Sequence, residues 1–420
     1  AGASRLRAWG AGGGVAALAD WMAIAALAAI PWSTSLTAIF AAAFIVLALP
    51  LLRYRQVVEA LRHPAVSLPI ALWVMMAVGM FWSHTTWAVA IGEMRPFHKI
   101  LVLPLVMIHF TQSRRGLVGF GLFVASATVL LAWSWASWMW PALLPAGRAP
   151  GVPVKDTIFQ GMICLLAACV YVHLALAGLR KGRIGAALAL TLLALAFIAN
   201  VLLVTVSRTT LVAGPLLLAI VGFTHLRLKG SLVIVAVCAG LGATVWLASP
   251  DVRERTSLFA EFATGAAVTD ASGSLRLQFW RIAVDKVKEA PVFGSGTGSL
   301  RGLFSTAKTD GVVDLSAGTE NPHNQTFAIA IQVGVIGLLV LYGLWLAHAL
   351  LFIRSGAAEA SRIVWASRFG LLIVVQNFLG SLFNTHLSDF TSGWLYALGV
   401  GILGGTVLRP HLTYRRGPAA

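Results

Sequence analysis

The sequence has little charge, and acidic residues are the scarcest part of that charge. Only 11% of the 420 residues are charged, and Asp and Glu number 15 against 31 Lys and Arg. It has no DxD, HExxH or P-loop motif and no Cys/His cluster, so metal-dependent chemistry is disfavoured and we expect no cofactor. The three cysteines, Cys164, Cys169 and Cys238, all lie in apolar runs, so no disulfide framework or metal spacing follows from them.

The apolar runs also lack the period-two alternation that a membrane barrel needs. Hydrophobic residues make up 58% of the chain and the mean hydropathy is +0.84. Because lipid offers the backbone no hydrogen-bond partners, runs of this kind must be helices. The sequence therefore predicts an all-α polytopic membrane protein with twelve spans: 14–31, 35–52, 66–82, 97–112, 116–138, 159–179, 184–206, 209–224, 231–248, 323–353, 363–385 and 391–408.

The distribution of Lys and Arg predicts the orientation of these spans. Most basic residues of the short loops fall on one side, which the positive-inside rule assigns to the cytoplasm together with both termini. The protein is thus expected in a bacterial inner membrane, as a single domain over 1–420, with an embedded periplasmic lobe at 249–322 between spans 9 and 10. An anionic ligand is a second interpretation of the net charge of +16. Nucleic acid is disfavoured, because the basic residues are scattered.

A smaller set of cations lies on the opposite, exported side, against this trend. They are Arg95, Lys99, Arg148, Lys155 and Arg208, all near span ends. Such residues are candidates for function, and binding of lipid head groups is the alternative. Arg208 follows Ser207 in a very short turn, which suits an arginine that must grip a phosphate by two N–H bonds. A snorkelling anchor is the alternative for Arg208.

The lobe contains an amphipathic segment that is predicted to be a helix over 275–290. Arg276 falls on its apolar face, where a guanidinium must snorkel, pair or hold an anion. Arg281 and Asp285 are four residues apart on the polar face and are expected to form a solvated ion pair. Trp280 is expected to pack in a core or interface, or against Arg276 or a sugar ring.

The end of the lobe, GTENPHNQTF, predicts the start of a long helix. Asn321 is expected to be the N-cap, with Pro322 at the first helical position and His323 and Asn324 in the first turn. The positive end of the helix would favour an anion and keep the His323 imidazole neutral, and so able to accept a proton. A packed bystander histidine is the alternative. The preceding FGSGTGSL run could cradle phosphate, but a flexible connection is the favoured interpretation.

Together these features resemble the O-antigen ligase and polymerase superfamily of envelope glycosyltransferases. The resemblance covers most of the chain and includes the many spans and the single large late loop. It rests on the following residues: Ser207 with Arg208, Arg276 with Trp280, Gly294 with Gly296 and Gly298, His323 with Asn324, and Gly334 with Gly337.

The resemblance implies a function as well as a GT-C-like fold. The donor would be a glycan on undecaprenyl pyrophosphate and the acceptor lipid A–core oligosaccharide, with inversion and without metal or nucleotide. The implied pyrophosphate ligands are Arg208, Arg276 and, less directly, Arg95, and the implied base is His323. We expect four residues to support them: Asn321, Asn324, Trp280 and Arg281.

Three alternatives to the ligase stay open. An O-antigen polymerase would use the same donor with a second lipid-linked glycan as acceptor. A protein O-glycosyltransferase would use Ser or Thr, although such relatives often have a larger C-terminal region than the short tail after Leu408. A transporter or flippase of an anionic lipid-linked sugar would place cations in mid-membrane. Here they gather at one face, which favours chemistry at that face.

Overall fold

The computed structural model describes residues 2–248, 271–306, 321–356 and 361–414. For some residues in these ranges, including 2–12, 271–278 and 410–414, the structure describes the backbone but not the side chain. The described residues form helices and no strand. The helices are α1 (Gly2–Ala29), α2 (Thr34–Ala48), α3 (Tyr54–Leu61), α4 (Pro64–Val78), α5 (Trp87–Met94), α6 (His98–Phe110), α7 (Gly116–Met139), α8 (Thr157–Arg180), α9 (Ile184–Leu203), α10 (Arg208–Ala248), α11 (Ala271–Glu289), α12 (Ser299–Thr306), α13 (Gln325–Ser355), α14 (Ser361–Ser381) and α15 (Phe390–Tyr414).

The architecture is that of an all-α polytopic membrane protein, as predicted. Within the described residues, nine helical segments are long and apolar enough to cross a membrane. The twelve predicted spans all coincide with helices, but those at α1, α6 and the second half of α10 are not among these nine segments. The predicted number of twelve therefore stays a prediction.

Helix α10 contains a reversal at the place where the sequence predicts a break between two spans. The Ser231 hydroxyl donates to the Ala219 carbonyl at 3.0 Å. In a straight helix two residues twelve apart would be separated by about 18 Å. The two arms also meet at Gly222, where a Cβ would lie 3.3 Å from the Ser231 Cα. The predicted boundary between 224 and 231 is thus a bend that folds α10 back on itself.

Two ion pairs mark the two ends of the helix bundle. At one end, which we call the site end, Lys155 before α8 pairs with Asp389 before α15 at 2.5 Å. At the other, the distal end, Arg115 before α7 pairs with Asp20 of α1 at 2.7 Å. Arg409 follows Asp389 by 20 residues along α15. At 1.5 Å per residue the two ends are about 30 Å apart, the thickness of a bilayer's hydrocarbon core.

Helix α13 is broken near its middle, which the sequence analysis did not predict. Val333 (φ −133°, ψ 17°) and Gly334 (φ 66°, ψ −163°) leave the helical region. The second conformation is one that glycine alone adopts readily. A break of this kind frees backbone groups that a membrane-embedded segment cannot leave without partners.

The glycine run Gly294–Gly298 supplies those partners. Ser295 N–H donates to the Ile331 carbonyl at 2.7 Å, and Gly296 N–H donates to the Gln332 carbonyl at 2.9 Å. Just before the run, the Pro291 carbonyl accepts from Val335 N–H at 2.8 Å. The prediction of a flexible connection is therefore wrong, because this run is hydrogen-bonded into the broken helix.

The same run cannot act as the phosphate nest that was considered for it. Its next two amides are also occupied, since Thr297 N–H donates to the Gly79 carbonyl at 2.9 Å and Gly298 N–H donates to Gln332 Oε1 at 3.0 Å. Gly294, Gly296 and Gly298 have φ of 68°, 88° and 95°. With this backbone the N–H groups of the run point at oxygen atoms of the protein, so none of these N–H groups is left to bind an anion.

The described part of the predicted lobe packs on the first half of α13. Phe279 of α11 and Phe304 of α12 are buried in a small cluster with Ala328 and Ile331 of α13. Burying a Phe side chain from water stabilises by about 2–3 kcal/mol, so this cluster anchors the lobe to the site end. The remaining parts of the predicted lobe, 249–270 and 307–320, lie outside the described residues, and the single-domain division stays a prediction.

Candidate active site

A polar cavity of about 380 Å³ opens at the site end, between the lobe and the ends of the helices. Its size is typical of a small-molecule site. The wall combines four parts of the chain: the α5–α6 junction, α12, the start of α13, and the loop that joins α14 to α15. The lining residues are Glu93, Pro96, Phe97, Leu300, Asn321, Ala328, Gln332, Asn384, Thr385, Ser388 and Asp389.

The turn that carries His323 is fixed to this wall by two asparagines. The Asn321 side-chain oxygen accepts from the His323 N–H at 2.9 Å, and its amide nitrogen donates to the Thr385 hydroxyl at 2.9 Å. The Asn324 amide nitrogen donates to the Leu382 carbonyl at 2.9 Å. His323 has φ 48°, a left-handed conformation that is uncommon for residues other than glycine. The backbone of His323 is thus held from both sides.

The predicted start of α13 was wrong by three residues. Asn324, not Asn321, is the N-cap, and its side-chain oxygen accepts from the N–H groups of Thr326 (2.8 Å) and Phe327 (3.2 Å). Both asparagines have the right chemistry, but the one nearer the apolar helix forms the cap. His323 therefore precedes the helix, and the expected effect of the first helical turn on its imidazole loses its basis.

The hydrogen bonds around Asn384 select one tautomer of His323. The Thr385 backbone N–H donates to Asn384 Oδ1 at 2.9 Å, which fixes the orientation of the amide because a backbone N–H can only donate. His323 Nδ1 lies 3.4 Å from the same oxygen. Since Oδ1 can only accept, Nδ1 must carry the proton in this contact. Nε2 is then the ring nitrogen that can accept one.

Asp389 links the cavity wall to the helix ends behind it. Its carboxylate pairs with Lys155 and accepts from the Thr391 hydroxyl at 2.9 Å and the Ser392 N–H at 3.0 Å. Burial would raise the pKa of Asp389, but these hydrogen bonds and the Lys155 charge outweigh it and lower the pKa to about 2. Asp389 is therefore a carboxylate and the N-cap of α15, not a proton donor at neutral pH.

Two of the predicted exported-side cations are internal anchors. Lys99 is buried and donates to the backbone carbonyls of Ser388 (2.8 Å) and Asp389 (2.6 Å). Lys155 holds the Asp389 carboxylate and also donates to the Thr391 hydroxyl at 2.7 Å. Both fix the 382–389 loop, so their amino groups help to shape the wall.

Arg208 lies at the site end, in the turn that the sequence predicts. Helix α9 ends at Leu203 and α10 begins at Arg208, so the connection spans only 204–207. Ser207 caps α10 by accepting from the Thr210 N–H at 3.2 Å. The turn packs on the beginning of α8, where a Cβ on Gly161 would lie 2.9 Å from the Thr210 methyl group. Arg208 is half-buried there but is not among the residues that line the cavity.

The structure gives fewer contacts for the other two predicted pyrophosphate ligands, Arg95 and Arg276. Arg95 is exposed and immediately precedes Pro96 and Phe97, which line the cavity. Arg276 lies on α11, but its side chain is outside the part of the chain that the structure describes. The structure therefore brings together His323, Asn321 and Asn324 and places Arg95 and Arg208 at the same end, while the contacts of Arg276 remain a prediction.

Of the other two residues expected to support the site, Trp280 packs against a neighbouring ring and Arg281 is exposed. The Trp280 ring packs 6.2 Å from the Phe327 ring, consistent with the expected core packing. The expected ion pair of Arg281 with Asp285 is replaced, because Asp285 accepts from Lys288 at 3.1 Å while Arg281 is exposed. Pairs three apart on a helix surface compete on equal terms with pairs four apart, and such pairs contribute little.

The sequence reasoning missed Asn384 and Thr385, which complete the His323 surroundings. They lie 61 and 64 residues from their respective partners His323 and Asn321. One signal was available, since the predicted span 363–385 ends in these two polar residues. The sequence analysis also gave no role to Asp389, although an Asp before an apolar helix is a recognisable N-cap.

In chemical terms, the site offers a base nitrogen beside a polar cavity, with arginines at the same end of the bundle. That arrangement suits proton removal from a hydroxyl close to a bound anion. Among the described residues, no group of three or more His, Cys, Asp or Glu could hold a metal ion.

Comparison with known families adds a second kind of evidence. Residues 193–342 match the family model Wzy_C, described as O-Antigen ligase. No curated protein matches the chain. The matched segment contains Arg208, Arg276 and His323, and it indicates a glycan-transfer function of the O-antigen ligase or polymerase type.

Proposed function

We propose, from the match of residues 193–342 to the O-antigen ligase family model, that the chain transfers a glycan from undecaprenyl pyrophosphate to lipid A–core oligosaccharide. The transfer would occur at the site end, on the periplasmic face of a bacterial inner membrane. The observation that carries the proposal is the fixed turn at His323, whose Nδ1 contacts Asn384 on the wall of the polar cavity.

In this mechanism His323 acts as the general base. Nε2 removes the proton of an acceptor hydroxyl while the hydroxyl oxygen attacks the anomeric carbon of the donor. The bond from that carbon to the pyrophosphate oxygen breaks on the opposite face, so the configuration inverts. A positioned base typically contributes about 10²–10⁴-fold to the rate.

The arginines would stabilise the leaving group. Pyrophosphate leaves with additional negative charge, and guanidinium groups bind two of its oxygens at once. We assign this role to Arg208 and Arg276, with Arg95 beside the cavity. Such charge stabilisation lowers a barrier by several kcal/mol without a metal ion. The polyprenyl tail would lie between the helices in the bilayer, and the sugar chain beneath the lobe.

The first test uses purified protein in native-like lipid with a lipid-linked glycan donor. We expect His323→Ala to lower the transfer rate by about 10²–10⁴-fold and Arg276→Ala or Arg208→Ala to lower it by at least about 10²-fold. Lys288→Ala is the matched control, because this exposed lysine has the same charge and lies on the same helix as Arg276. Full activity of both the His323 and Arg276 variants would contradict the assignment.

A deletion strain separates the ligase from the polymerase. Loss of a ligase leaves bare core and accumulates lipid-linked polymer, whereas loss of a polymerase leaves a single repeat on the core. Accumulation of an unmodified acceptor protein, with normal lipopolysaccharide, would instead indicate a protein O-glycosyltransferase. A transporter would show full uptake or flipping in the His323→Ala variant.

A further inference from the structure

A second cavity, of about 530 Å³, lies at the distal end of the bundle. Its wall is formed by the α6–α7 loop, the start of α14 and the last turns of α15. Its described lining contains three arginines, three hydroxyl side chains, one Ile and no acidic residue: Ser113, Arg114, Ser361, Arg362, Ile363, Thr406 and Arg409.

The backbone on one side of this cavity is rigidly held. Ser113 donates to the buried Asp20 carboxylate at 2.8 Å, and the Arg115 N–H donates back to the Ser113 hydroxyl at 3.0 Å. Asp20 is further bound by Arg115 at 2.7 Å and His109 at 2.8 Å. The Asp20 carboxylate is thus occupied by these three groups. Arg114 lies in the middle of this fixed loop.

The opposite wall is brought close by a glycine. A Cβ on Gly116 would lie 2.1 Å from the Thr406 hydroxyl oxygen, so α7 and α15 approach here only because this residue has no side chain. The approach places the Arg114 loop next to the end of α15 that carries Arg409. Three guanidinium groups around one cavity create a positive potential that attracts an anion.

We propose that this distal cavity binds a phosphate group, at the membrane face opposite to the candidate active site. Guanidinium groups bind phosphate oxygens in pairs, and hydroxyl groups donate to the oxygens that remain. The cavity lies about 30 Å from the site end along α15, at the depth where lipid head groups lie. The ligand class is therefore a phosphate monoester or diester, carried by an anionic phospholipid or by a soluble compound. This proposal does not depend on the proposed function.

The test compares two double variants of the full-length protein purified in detergent. Arg114→Gln with Arg362→Gln removes two charges from the cavity. Arg53→Gln with Arg55→Gln is the control, because it removes two exposed arginines outside the cavity, next to α3. The Gln56 side chain of α3 donates to the Ile108 carbonyl at the end of α6, so the control also lies at the distal end.

Binding of phosphatidylglycerol is measured by native mass spectrometry, and binding of inorganic phosphate by the shift of the unfolding temperature. We expect the cavity variant to bind phosphatidylglycerol about thirtyfold more weakly than the control, because each arginine contributes about fivefold. Phosphatidylcholine should bind equally to both. Saturable binding of inorganic phosphate that is lost in the cavity variant would identify a soluble ligand of the same chemistry. Equal binding of both probes to the two variants would overturn the proposal.

Discussion

The contact between Asn384 and His323 gives the sharpest prediction for the candidate active site. In Asn384→Ala the Oδ1 that accepts from Nδ1 is removed, while the backbone turn at 321–324 keeps its other hydrogen bonds. Without this acceptor the imidazole proton is held less strongly on Nδ1. In a larger fraction of the molecules that proton would lie on Nε2, and Nε2 could then not accept a proton from the acceptor hydroxyl.

The size of the effect follows from the geometry. A neutral hydrogen bond contributes about 0.5–1.5 kcal/mol net, and a long bond belongs to the lower half of that range. The Nδ1 to Oδ1 distance is 3.4 Å. We therefore expect Asn384→Ala to lower kcat by about two- to fivefold, far less than the 10²–10⁴-fold, roughly, expected for His323→Ala. KM for the donor should change little.

The decisive assay is the double variant, measured as transfer of glycan to acceptor in native-like lipid. If Asn384 acts through His323, Asn384→Ala should have no further effect in the His323→Ala background, because the group it orients is gone. In Asn384→Asp the carboxylate still accepts from Nδ1 and also favours the protonated imidazole. The acid limb of the pH–rate profile should then move to higher pH. Multiplicative effects in the double variant, or an unmoved acid limb, would refute the reasoning.

Three further predictions concern the scaffold and the chemistry. Gly334→Ala should destabilise the protein by at least about 2 kcal/mol, since its backbone conformation costs other residues about 1–3 kcal/mol and a Cβ would lie 2.1 Å from the Val292 carbonyl oxygen. Thermal unfolding in detergent measures this loss of stability. Gly121→Ala is the control, because a Cβ there would meet nothing within 4 Å. The pKa of Asp389 is lowered from 3.8 to about 2. The Lys155–Asp389 pair therefore stabilises the fold by about 1–2 kcal/mol above about pH 4, and this contribution is lost as the pH falls through about 2. Lys155→Met should remove it and so flatten the dependence of stability on acid pH. Excess EDTA should leave the transfer rate unchanged, and a loss that Mg²⁺ restores would contradict the metal-independent mechanism.

The helices could be predicted from the sequence because they depend on local composition. Long apolar runs in lipid have one solution, so each predicted span falls on a helix. The reversal within α10 was also predictable, because a short basic stretch interrupts its apolar pattern. The position of Arg208 at a span end was predictable in the same way, because a polar turn interrupts the apolar pattern there.

The features that the sequence did not reveal depend on contacts between distant residues. The break at Gly334 and the glycine run form one unit across more than 30 residues, and neither can be interpreted without the other. The cap of α13 was assigned to the wrong asparagine because Asn321 and Asn324 are chemically equivalent as caps. The pairing of Asn321 with Thr385 and of Asn324 with the Leu382 carbonyl separates their roles.

The break in α13 also has a consequence for biosynthesis. The carbonyls of Ile331 and Gln332 find their partners in Ser295 and Gly296, which the ribosome makes earlier. These hydrogen bonds can form only after both stretches have been made and inserted. A chain stalled before α13 would therefore leave the N–H groups of Ser295 and Gly296 without these acceptors.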